Sequence, residues 1–195
     1  GSAPFDQSGA SPVSNTDGTI TTNVIANPSA GFSTFGYQGN GSNSTVGHGL
    51  SQKPEMFWLK NYTNNGRSWQ VWFNGRNDGT ANFRMLNLDN SLASDTSSYA
   101  SRYNSTAPTD SVISLGTSGN TNENNRQFVC YCWHSIDGLS KFGTYEGSGS
   151  TDFDKTPFIY TGFMPEMVLV KNVDASESWR MYSKGGSNGL RYNPD

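Results

Sequence analysis

Along most of the chain, apolar residues either alternate with polar ones or run together for four or five positions. Gly, Pro, Asn or Ser bounds each such stretch. These are strand signals. "TITTNVIAN" sets Ile20, Thr22, Val24 and Ala26 in alternation and predicts a lone strand, closed by the turn residues of "NPSAGFS". "MFWLK" (56–60) and "MVLVK" (167–171) are unbroken apolar runs, the pattern of strands covered on both faces. Further strands are predicted in "ANFRMLNL" (81–88), "SVISLG" (111–116) and "RQFVCYCW" (126–133). "NSLASDTSSYASRY" (90–103) has room for one short turn of helix. About a dozen short strands between polar turns predict an all-β fold, a β-sandwich or jelly roll.

The pattern also repeats. "STFGYQGNGS" (33–42) aligns with "SKFGTYEGSGS" (140–150), "KPEMFWLKN" (53–61) with "MPEMVLVKN" (164–172), and "SWQVW" (68–72) with "SWRMY" (178–182). Three matched blocks in one order read as an internal duplication, with short loop insertions between blocks. Pro54 and Pro165 stand at strand entrances, where a missing N–H costs least. The expected organisation is a linker over 1–19, a donor or edge strand over 20–30, a first β unit over 31–139 and a truncated second unit over 140–195. Either the two copies share one sandwich or the second borrows strands, in cis or from a neighbouring chain. Ile20, Thr22, Val24 and Ala26 are the candidate donor residues.

Composition sharpens this picture. Only 33% of the 195 residues are hydrophobic and 15% are charged, yet 13% are aromatic. Aromatics suit pleated surfaces, and their abundance argues against disorder. A net charge of −3 argues against nucleic-acid binding, and no apolar stretch approaches the length that spans a bilayer. No leader segment is legible, so location is not read from one.

Candidate chemistry is sparse. Cys130 and Cys132, two apart on a strand, share a face near the upper reach of a disulfide; a pair of small buried side chains is the expectation. His48 between two glycines and His134 at a strand end are expected to be structural, and no metal-ligand spacing joins them to the cysteines. Glu55 and Glu166 fall at equivalent places in the two copies, as rim charges paired with Lys60 and Lys171. "TDFDK" (151–155) and "NLDN" (87–90) lack a calcium-loop series. No catalytic residue, metal or cofactor is expected.

A sugar site is a different matter. Trp58, Tyr62, Trp69, Trp72 and Trp179, with abundant Asn and Asp, could form an aromatic platform beside planar hydrogen-bonding groups. The same rings could equally fill the core of a sandwich with few apolar residues. Sequons at Asn40, Asn43, Asn61 and Asn104 imply exposed loops.

"NTDGTITTNVIANPSAGFS", "TVGHGL", "PEMFWLKN", "RYNSTAPTDSVISLGT", "FVCYCWHSIDGLSKFGTYEGSGS" and "PFIYTGFMPEMVLVKN" together resemble a repeat domain of unknown function found in long tail or fibre proteins of aquatic bacteriophages. The resemblance runs from about residue 15 through most of the chain. It implies an extracellular or virion-surface building block and assigns no catalytic residue. The expected function is that of a non-enzymatic structural subunit that assembles with itself through β-strand contacts. The alternative is an adhesion module that binds surface glycans.

Overall fold

The computed structural model describes residues 11–74, 84–87 and 98–183. In chain order the strands are β1 (Val13–Asn15), β2 (Thr22–Asn27), β3 (Phe32–Gln38), β4 (Ser44–Gly47), β5 (Met56–Asn61), β6 (Gln70–Phe73), β7 (Arg84–Asn87), β8 (Val112–Leu115), β9 (Gln127–Trp133), β10 (Met167–Val170) and β11 (Arg180–Ser183). Two short helices, α1 (Tyr99–Tyr103) and α2 (Gly119–Asn122), flank β8. The fold is an all-β sandwich with very little helix, as the strand pattern predicts.

One antiparallel sheet takes seven strands in the order β1-β2-β3-β9-β5-β6-β7. The late strand β9 runs down its middle, with Phe35 opposite Cys130 on one side and Leu59 opposite Cys130 on the other. The alternation read from the sequence sets the two faces. Val24, Phe35, Tyr37, Phe128, Cys130, Cys132, Phe57, Leu59 and Trp72 point inward and are buried. Against them lies the small β4–β8 sheet with Val46, Ile113 and Leu115, joined by Tyr99 and Tyr103 of α1. Phe57 stacks on Trp72 at 5.3 Å and meets Tyr103 edge-on at 5.5 Å. Each geometry is a favoured aromatic pairing.

Two boundary expectations are corrected. The linker read over 1–19 is not wholly a linker, because Val13–Asn15 pair with β2 as the outer strand of the large sheet; residues 1–10 lie outside the described residues. The 20–30 segment is not an edge. β2 is flanked by β1 and β3, and Ile20 bridges to Val46 of the facing sheet. Thr22 Oγ1 donates to Gly47 O at 2.9 Å, Val24 enters the core, and Ala26 pairs with Ser33. The strand looked lone because its partners, except β3, lie far along the sequence or in a segment too polar to read as a strand.

Within the expected second unit, the described residues form a two-stranded sheet, β10–β11. Its register repeats that of β5–β6. Met56 faces Phe73 and Phe57 faces Trp72 in one hairpin; Met167 faces Ser183 and Val168 faces Tyr182 in the other. Lys60 donates through Nζ to Arg67 O, and Lys171 donates likewise to Glu177 O, each acceptor lying just before the Ser-Trp pair. The block at 140–150, aligned with β3, forms no strand. The end of the unit, 184–195, lies outside the described residues.

Candidate interaction surfaces

Outward-facing residues of the large sheet form an aromatic belt. Phe32 of β3 lies opposite Trp133 of β9, with ring centres 5.5 Å apart. Trp133 meets Trp58 of β5 at 5.0 Å and its strand neighbour Tyr131 at 6.3 Å. Tyr131 in turn stacks with Trp69, just ahead of β6, at 6.2 Å. Five half-buried rings thus run across three strands to the start of β6, because positions two apart on a strand share a face and the register aligns them.

The β10–β11 hairpin docks beside this belt. Trp179 and Val71 are both buried, with Met56, Trp58, Leu169 and Val173 packed around them. Leu169 occupies the place in its hairpin that Trp58 has in the first, and Trp179 the place of Trp69. The two hairpins therefore meet through equivalent outer faces. The opposite face of the second hairpin is bare. Val168 is 41% exposed and Tyr182 43%, whereas their counterparts Phe57 and Trp72 are sealed in the core. Met167 at 61%, Tyr160 at 79% and Phe158 at 90% are further exposed apolar residues.

The sugar-site residues read from the sequence separate into three groups. Trp58 and Trp69 join the belt. Trp72 and Trp179 are buried and present no platform, the first in the sandwich core and the second beneath its own hairpin. Tyr62 is exposed but lies at the end of β5, with no ring stacked on it among the described contacts. Phe32, Tyr131 and Trp133 were missed as surface residues. The signal for the last two was available: in "FVCYCW" both alternating sets are apolar, so both faces of that strand must be covered or paired.

Polar candidates hold the fold together. Asn61 is buried, and its amide donates to Glu123 Oε2 at 3.0 Å and to Gly119 O at 3.4 Å, so this sequon lies in no exposed loop. Asn64 and Arg67 also donate to Glu123, at 3.0 and 3.3 Å. Burial raises the Glu123 pKa, but these bonds and the charges of Arg67 and Arg126 outweigh it and hold the carboxyl below its ordinary value. Asn40, Asn43 and Asn104 are exposed, and Asn43 Nδ2 donates to Asn104 Oδ1 at 2.9 Å.

His48 is sealed. Its Nδ1 accepts from Leu50 N–H at 3.1 Å, so Nε2 carries the proton toward Thr109 O at 3.2 Å. Burial lowers its pKa, opposed in part by the Thr109 carbonyl and the charges of Asp17 and Asp110. His134 is buried at the end of β9, with Nδ1 2.6 Å from Gln52 Nε2. Cys130 and Cys132 are free and buried, their sulfurs 3.7 Å apart. Glu55 does not reach for Lys60, whose partner is Arg67 O; its Oε2 accepts from Ser135 N–H instead. That contact lines a shallow polar hollow of about 400 Å3 with Gln52, Lys53, Asn74 and Asp110, where Asp110 accepts from Lys53 N–H. Among the described residues, no group of three His, Cys, Asp or Glu side chains could hold a metal ion, and no helix is long and apolar enough to cross a membrane.

The molecule is thus an all-β sandwich of antiparallel sheets with a second hairpin docked on its outer face. The chain belongs to the family described as Domain of unknown function (DUF7483), which matches residues 6–192. No curated protein and no solved structure matches the chain.

Proposed function

We propose that this chain is a non-enzymatic building block of an extracellular or virion-surface assembly, whose copies join through β-strand contacts. The second hairpin carries this reading: Val168 and Tyr182 lie open to solvent at positions whose counterparts, Phe57 and Trp72, are sealed. Val168 and Tyr182 face each other across the hairpin, and exposed apolar residues that pair in this way suit an interaction site. The carboxylates in the polar hollow are engaged with main-chain N–H groups, which favours a structural over a catalytic role. Electron microscopy of the native material tests the reading. Regular oligomers or fibres are expected, and dispersed single particles at high protein concentration would refute it.

A second reading, recognition of surface glycans, is favoured by the belt of Trp58, Trp133, Tyr131 and Trp69. Rings of this kind pack against the C–H faces of sugars. Glycan-array binding that is lost in Trp133→Ala and Trp69→Ala, with the fold intact, would establish it. An array silent for the unmodified protein would remove it.

A further inference from the structure

We propose that the open edge of β10 is filled by β10 of a second copy, running antiparallel about a two-fold axis; this rests on the assembly reading above. The first hairpin indicates what the second lacks. β5 is paired on both sides, by β6 and, antiparallel, by β9, with Trp58 opposite Tyr131 and Leu59 opposite Cys130. β10 repeats the β5 register toward β11 but, among the described residues, has no strand on the side where β9 would stand. That edge offers main-chain N–H and C=O groups in a fixed direction. An antiparallel strand satisfies them in register along its whole length.

Within its four residues the edge also carries neither charge nor proline. Natural sheets protect exposed edges with charge, proline, bulges or brevity. Outermost in the large sheet, β1 is three residues long, and Ser14 and Asn15 make most of it polar. β10 is Met-Val-Leu-Val, with Pro165 and Lys171 both outside the strand. A two-fold axis perpendicular to the sheet places β10 antiparallel to its own copy, the orientation in which β9 meets β5. The contact within the chain points the same way, since the two hairpins already pack equivalent outer faces together around Val71 and Trp179. The product is a four-stranded sheet, β11-β10-β10-β11, continuous across two molecules.

Sedimentation velocity over a concentration series, with amide hydrogen exchange on the same samples, tests this directly. The expected result is a reversible dimer whose Val168–Val170 amides become protected as concentration rises. Val168→Lys, at an exposed position, should weaken it at least tenfold, while Val13→Lys on the β1 edge leaves it unchanged. A dimer that ignores Val168→Lys and leaves the β10 amides unprotected would overturn the edge contact yet leave assembly standing. Protection of β10 at every concentration in a monomer would assign the edge to another segment of the same chain. A monomer throughout, with β10 exchanging freely, would sink both readings. The exchange measurement on the unmodified protein decides the matter even where a variant misfolds.

Discussion

Trp179 of the second hairpin rests against Val71 of the first, and both are sealed from solvent although 108 positions separate them in the chain. The indole is the main apolar anchor holding β10–β11 to the sandwich. Trp179→Ala should remove about 3–5 kcal/mol from that docking, the range for deleting a buried indole. Limited proteolysis should then cut between residues 139 and 166 sooner, while the core of the first unit stays protected. Unchanged cleavage would show that docking does not depend on the ring.

Replacing Asn61 tests the polar clamp at the end of β5. Asn61→Ala removes one of three donors to Glu123 Oε2, leaving Asn64 and Arg67, together with the bond to the Gly119 carbonyl. A loss of about 0.5–1.5 kcal/mol in denaturant unfolding is expected, the net worth of a hydrogen bond whose acceptor keeps other donors. A loss under a few tenths of a kcal/mol would mean that water substitutes freely there.

His48 makes stability depend on pH. Its folded pKa is below the ordinary imidazole value, so the unfolded chain binds the proton more readily. The stabilisation is complete above the unfolded pKa, near 6.5, and is lost as pH falls from there through the lowered folded value. Glu123 acts with the same sign further into acid. Thermal melts between neutral and mildly acidic pH should show a falling Tm, and the fall should be smaller in His48→Gln. An equal fall in both proteins would clear His48.

Burial first, and then its bond with Cys132, push the Cys130 thiol well above its ordinary pKa. A thiol kept protonated and out of solvent is a poor nucleophile. Native protein should therefore leave a thiol reagent unreacted at mildly alkaline pH, and denatured protein should consume two equivalents without reductant. Fewer than two would mean that the pair had oxidised.

The β architecture was legible because alternation and turn residues are local signals. The hairpin phrases around Pro54 and Pro165 announced both hairpins, whose registers agree. Tertiary partnership was less legible. Val13–Asn15 have almost no apolar signal and become a strand only because β2 offers an edge. The tryptophans could be recognised as important but not sorted, since Trp69 and Trp72 lie three apart on one short stretch and end on opposite faces of one sheet. The Glu123 clamp gathers Asn61, Asn64 and Arg67 from a loop some 60 positions away, a convergence no local pattern encodes.

The central place of β9 has a consequence for synthesis. Phe32 pairs with Trp133, so β3 waits for a partner that leaves the ribosome roughly 100 residues later, on the order of 5–20 s at ordinary translation rates. During that interval neither β3 nor β5 has β9 to pair with. Each shows an unsatisfied edge to every other nascent chain on the same message. Emergence of one seven-residue segment, Gln127–Trp133, supplies the missing partner of both at once.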